Sequence, residues 1–299
     1  MNQIGWAAAL SLAAATALQG QDFELRRELP PGSRFAIRNI IGDVRVDGTS
    51  RRTLEVTGRK KAGRHGDPDD VEIETLEIEG GIAVCVYYPG QWRRDRDDDD
   101  RPSRRNRRGD RVEIHDDICR RGSNWGGNDR NDTSVDFVIR VPEGLKLDLA
   151  TVSGDVIGQR LQGEAIDVAT VSGAVSLTDV TTPALEASSV SGDVDLDQVE
   201  AQSVSSETVS GDVRYDGVID PKGSYDFRTL SGDVLLTVPR EPDARVSAIT
   251  FSGDLSSDFP VSRDSTRKRR NRFNALWGSG GAQIDLESFS GDIEIRARR

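Results

Sequence analysis

The chain has 299 residues, of which 35% are hydrophobic and only 5% aromatic, and its formal net charge is -11 at pH 7. Its core must therefore come from many small branched side chains. An acidic surface repels a phosphate backbone, so a nucleic-acid partner is not expected.

Residues 1–20 begin with an Ala- and Leu-rich apolar run, followed by Ala15-Thr16-Ala17 and Leu18-Gln19-Gly20-Gln21. This layout predicts a secretory signal peptide cleaved after Ala17 or Gly20, although no Lys or Arg precedes the apolar run. Gln21 stands where a lipoprotein would need cysteine, so lipid attachment is not expected. No later segment reaches the ~20 apolar residues of a membrane helix. The mature part, 21–299, is expected as one domain in the periplasm or outside the cell.

Near the start an eighth copy of the repeat described below alternates Phe35, Ile37, then slips in phase to Ile40, Gly42, Val44 and Val46 around Ile41-Gly42-Asp43. Strand-like stretches follow at Val71-Glu72-Ile73, Leu76-Glu77-Ile78 and 82–86. Within the last of these, Cys85 has the parity of a residue pointing away from the core. Cys119 is its natural partner, because a single pair in an oxidising compartment is normally bridged. Residues 91–131 are dense in both charges and poor in hydrophobes, which predicts a mobile insertion. Asn131-Asp132-Thr133 matches a glycosylation sequon, a pattern common by chance, and 135–141 reads as a further strand.

The main array then repeats Ser153-Gly154-Asp155, Ser172-Gly173-Ala174, Ser191-Gly192-Asp193, Ser210-Gly211-Asp212, Ser231-Gly232-Asp233, Ser252-Gly253-Asp254 and Ser290-Gly291-Asp292. The glycines are spaced by 19, 19, 19, 21, 21 and 38 residues. Since 38 is twice 19, the last interval is expected to hold a degenerate copy or a long loop, and 256–283 reads as that loop. It carries Arg267-Lys268-Arg269-Arg270 and an exposed Trp277. In each copy, apolar alternation such as Leu147, Leu149 is followed by a slip and an apolar row resuming at Val152, Gly154 and Val156. The slip marks a corner, and glycine in the row allows neighbouring rungs to approach closely. Copies of ~20 residues cannot bury a core alone and must stack. The predicted fold is all-β: a single-domain β-solenoid with coils of about 19–21 residues and two long loops, with a β-sandwich of hairpins as the competing architecture.

A ladder formed by Asp155, Asp193, Asp212, Asp233, Asp254 and Asp292 invites a calcium reading, because hard cations collect carboxylates. Ala174 breaks that ladder, and Ser-Gly-Asp has an ordinary turn role through side-chain to backbone hydrogen bonds. His65 and His115 lie apart from any nucleophile motif. A glycosidase would need two converging carboxylates, and the repeat or the charge runs already account for nearly every Asp. No catalytic residue, cofactor or metal is therefore expected.

Leu29-Pro30-Pro31-Gly32 leading to Ile40-Ile41-Gly42-Asp43-Val44, Val141-Pro142-Glu143-Gly144 leading to the Ser-Gly-Asp-Val array, and 280–284 closing on Phe289-Ser290-Gly291-Asp292-Ile293 carry a resemblance. From about residue 23 onward the chain resembles the "putative adhesin" domain family of bacterial cell-envelope proteins, whose biochemical function is unknown. The resemblance implies a β-solenoid in an envelope setting and brings no catalytic residues. The expected function is an exported envelope binding or structural module, with polysaccharide, protein or its own kind as partner. The alternatives are a carbohydrate-active enzyme on a solenoid and a calcium-stabilised surface protein.

Overall fold

A computed structural model describes residues 22–88, 118–119, 131–263 and 271–298. Among the described residues, nineteen strands join into one continuous sheet that wraps on itself as a β-solenoid. The early strands are β1 (Asp22–Glu28), β2 (Arg34–Arg38), β3 (Val44–Thr49), β4 (Thr53–Lys61), β5 (Glu72–Ile78), β6 (Gly81–Tyr87), β7 (Ser134–Pro142) and β8 (Leu145–Ser153). The regular coils follow as β9 (Val156–Ser172), β10 (Val175–Ser191), β11 (Val194–Ser210) and β12 (Val213–Ser231). The chain ends with β13 (Val234–Val238), β14 (Ala244–Ser252), β15 (Leu255–Ser257), β16 (Ser262–Arg263), β17 (Asn271–Trp277), β18 (Ala282–Ser290) and β19 (Ile293–Ala297).

Every Ser-Gly turn separates two flanks. Residues before the turn form the first flank, in the order β5, β6, β2, β8, the C-terminal parts of β9 to β12, then β18, β14 and β17. Residues after it form the second, in the order β1, β4, β7, β3, the N-terminal parts of β9 to β12, then β13, β19 and β15. The regular neighbours are parallel and in register, Val156 beside Val175 beside Val194 beside Val213. Among the described residues antiparallel pairing is confined to the two ends of the stack; at the N-terminal end β5 exposes Glu77 and β1 exposes Arg26 and Glu28. Charge on an edge strand discourages pairing with another chain.

The core lies between the flanks. Rows such as Leu147, Ile166, Leu185 and Val204 on one side face Val156, Val175, Val194 and Val213 on the other, all at most 4% exposed. A second corner falls six residues after the rung glycine, where Arg160, Asp179 and Gln198 take φ of 53°, 58° and 54°. This left-handed geometry strains side-chain-bearing residues. Three consecutive coils share it because parallel register imposes one backbone path on all of them.

Two 21-residue intervals have different origins. Between Gly211 and Gly232 the additional residues bulge at 219–223, where Ala201 pairs with Ile219 but Ser203 with Ser224. There Tyr215, Tyr225 and Phe227 thicken the core, and the Tyr225 hydroxyl donates to the Ala201 carbonyl at 2.7 Å. Between Gly232 and Gly253 the chain leaves the stack and skips a place. The vacated place is taken by the last copy: β18 lies between β12 and β14, and β19 between β13 and β15. Among the described residues, the 38-residue interval therefore holds no degenerate rung.

Residues 256–283 are likewise not one loop. Strand β17 runs antiparallel along β14, and Trp277 is buried at 6% exposure against Phe259, its indole N–H donating to the Pro260 carbonyl at 3.1 Å. The basic run at 267–270 lies outside the described residues, as does most of the charged insertion.

Candidate functional site

The rung motif explains its own composition. The Thr or Ser three residues before each rung glycine is buried and donates its hydroxyl to the glycine carbonyl of the neighbouring rung. The pairs are Thr151 to Gly42, Thr170 to Gly154, Ser189 to Gly173, Thr208 to Gly192, Thr229 to Gly211, Ser288 to Gly232 and Thr250 to Gly291, at 2.8 to 3.2 Å. In the first rung Asn39 takes this place, its amide donating to Gly42 and Val135 carbonyls. Rungs also meet through backbone bonds: the Gly154 N–H donates to Ser172, Gly173 to Ser191, Gly192 to Ser210 and Gly291 to Ser252. A Cβ on Gly192 would collide with the Gly173 carbonyl oxygen. Glycine is required there for close approach between rungs.

The aspartates complete the interlock. Oδ1 of Asp43 accepts the N–H of Asp155, Asp155 that of Ala174, Asp193 that of Asp212, Asp212 that of Asp233, Asp233 that of Asp292, and Asp292 that of Asp254, at 2.7 to 3.1 Å. Asp136 on β7 extends the series by accepting from Asp43. Ala174 receives support from Asp155 but offers no carboxylate onward. The Oδ2 atoms of Asp193 and Asp212 accept from Arg214 at 3.2 and 2.5 Å. Among the described residues no group of three His, Cys, Asp or Glu is placed to hold a metal ion.

One expectation about parity is overturned. Val152, Val171 and Leu230 do not continue the inward row; the inward place belongs to Thr151, Thr170 and Thr229, and the corner falls at Ser-Gly-Asp itself. A buried hydroxyl is tolerated because it has an acceptor in the preceding rung. The hydrophobic residue of each motif consequently points outward, forming a column in the spatial order Val152, Val171, Val190, Val209, Leu230, Phe289, Phe251. At its end Leu230, Phe289 and Phe251 are 50%, 52% and 44% exposed, and the two phenylalanine rings stack at 4.9 Å. Beside it on the same open face stand Glu186, Glu207, Asp226, Asp285 and Glu287, with Arg228 bonded to Asp226 at 2.6 Å. Burial raises the Asp226 pKa, Arg228 opposes that, and Asp285 and Glu287 add to the rise.

The other end of this face is covered. Cys85 points outward and is bridged to Cys119, as its parity predicts, and Ala36, Ala83 and Tyr87 pack there with Ile118. Next to this patch Arg38, 2% exposed, holds Asp148 at 2.6 and 2.9 Å, and Arg34 holds it at 2.5 Å. Burial works to raise the Asp148 pKa, and the two guanidinium groups outweigh it and hold it low.

Two clefts lie elsewhere: one of about 460 Å³ with Glu200 and Asp220 in its lining, and one of about 670 Å³ with Glu28 and Glu143. Asp226, a carboxyl group whose pKa burial raises, lies on the open face outside both clefts. Asn131 of the sequon is 9% exposed, its side chain engaged with Asp67 and Thr133. His65 stands 4.0 Å from Asp132, and His115 lies outside the described residues.

These features define a β-solenoid whose signature residues build the stack and leave an apolar and acidic face outside. The chain belongs to the Toastrack DUF4097 family, whose model matches residues 131–296. Solved structures with a similar course include a "putative cell adhesion protein" from Clostridium sporogenes ATCC 15579, 10% identical over 93% of this chain and 100% of that one, with a TM-score of 0.38. Another is a "putative adhesin" from Bacteroides fragilis NCTC 9343, 9% identical over 92% of this chain and 96% of that one, with a TM-score of 0.36. No curated protein matches the chain.

Proposed function

We propose that the protein is an exported cell-envelope module that binds a partner along its rigid ladder and performs no catalysis. The observation that carries this reading is the division of labour within the motif. Thr or Ser, Gly and Asp are engaged in joining one rung to its neighbour, whereas the hydrophobic residue of the motif is turned outward at the rungs from Val152 to Phe251. A repeated outward apolar residue contributes little to folding and supplies a periodic contact surface. Export is supported by the signal-like first 20 residues and by the Cys85–Cys119 bridge, which persists in oxidising compartments.

The test is capture from envelope fractions on the immobilised protein, followed by mass spectrometry, together with turnover assays on envelope glycans. Specific capture without turnover is the expected result. Absence of capture combined with glycan cleavage would overturn the reading in favour of an enzyme.

A further inference from the structure

The outer face of the first flank, between β9 and β14, is an open sheet surface with two chemically distinct tracks. One is the apolar column ending in Leu230, Phe289 and Phe251. The other carries carboxylates at the outward positions two and four residues earlier along the same strands, among them Glu186, Glu207 and Glu287. Parallel register spaces successive positions of a track by ~4.8 Å along the stack and neighbouring outward positions on one strand by ~6.6 Å. The row two residues before the apolar column is small at two neighbouring coils, Ala169 and Ser188, and carries Glu207, Arg228 and Glu287 at the next three.

We propose that this face docks an extended cationic polypeptide segment with apolar residues interspersed among its lysines or arginines. The inference rests on the binding-module reading and names the partner's chemistry. Charge complementarity selects the occupant. Where Asp226, Asp285 and Glu287 crowd together on the face, Arg228 is the cation bonded to Asp226. A basic side chain from a partner relieves that crowding, whereas a phosphate-bearing polymer or lipid headgroup is repelled. The apolar track adds contacts that a simple polyamine cannot fill. Long basic side chains reach from a segment seated on the apolar track to the carboxylates.

The probe is a fluorescent octapeptide of alternating Arg and Leu, followed by anisotropy with the purified protein, alongside a Glu-Leu octapeptide and an Arg-Gly octapeptide. The Arg-Leu peptide is expected to bind at least tenfold more tightly than either control. The combined change Glu186→Gln, Glu207→Gln and Glu287→Gln is expected to weaken it at least tenfold, and Phe251→Ser with Phe289→Ser about fivefold. Asp47→Asn with Asp197→Asn, on the second flank, should leave binding within twofold. Thermal melts establish that each variant is folded. Equal weakening by the second-flank changes would reduce the effect to net charge and overturn the proposal. So would equal binding of the Arg-Gly peptide, or a dimer in light scattering that dissociates on changing the two phenylalanines. Envelope capture retained by the triple Gln variant would also overturn it while leaving the binding-module reading intact.

Discussion

The backbone N–H of Gly232 donates to the carbonyl of Ser290, 58 residues further along, although the next Ser-Gly-Asp in the chain begins at Ser252. Ser252 pairs with Ser290 from the other side, so the last copy in sequence is the penultimate copy in space. Cysteines replacing Ser231 and Ser290, which are lateral partners, should form a disulfide on mild oxidation. Those replacing Ser231 and Ser252, about 9.6 Å apart across two strand spacings, should not. Peptide mapping by mass spectrometry reads the outcome, and the reverse pattern would refute the rung order.

Asp233 distinguishes an interlocked ladder from a calcium ladder. Its Oδ1 accepts the N–H of Asp292 at 2.7 Å, a role that an asparagine oxygen can keep. Asp233→Asn should therefore change stability by less than about 0.5 kcal/mol, whereas Asp233→Ala should cost about 1 kcal/mol. EDTA should leave the Tm unchanged. A Tm drop of several degrees in EDTA, matched by Asp233→Asn, would establish a metal instead.

Thr208 is 2% exposed and donates to the Gly192 carbonyl at 2.9 Å. Thr208→Val keeps the shape and removes the donor, so it should lower stability by about 1 to 2 kcal/mol in urea unfolding. Gly192→Ala sets a methyl group against the Gly173 carbonyl and should prevent rungs from closing, with loss of the folded β-sheet circular dichroism signal.

Asp148 supplies a pH dependence. Its folded pKa is held below the ~3.9 of the unfolded chain by Arg38 and Arg34 against the pull of burial. The stabilisation is fully present above the unfolded value and is lost as pH falls through the folded one. Asp148→Asn should cost about 3 kcal/mol at pH 7, because Arg38 is left buried without its carboxylate. The gap from wild type should narrow below about pH 4; a gap constant from pH 7 to pH 2 would contradict this account.

Cys85 and Cys119 close an interval of 34 residues. In the chain-entropy model such a bridge contributes ~3 to 4 kcal/mol. Thiol titration of the denatured protein should find no free thiol before reduction and two after it, and Cys119→Ser should lower the Tm. Detachment of the patch formed by Ala36, Ala83, Tyr87 and Ile118 should appear as faster hydrogen exchange in β6.

Much of the architecture is local and therefore legible in the residues themselves. Glycine spacing sets the coil length, period-2 alternation identifies the flanks, and the parity of Cys85 places it outside the core. These features follow from strand geometry alone. Parity around the turn misleads because it treats hydrophobicity as the mark of burial. Only the neighbouring rung, through the Gly154 carbonyl, reveals that Thr170 has an acceptor waiting inside and that Val171 is the residue turned out. The order of rungs is equally invisible in the sequence. Copies built on one motif present nearly identical edges, so spacing cannot say which copy pairs with which, and β18 enters between β12 and β14 through long-range pairing. Composition and repeat determined that this chain would stack; tertiary pairing decided the order of the stack and which side chains were left for a partner.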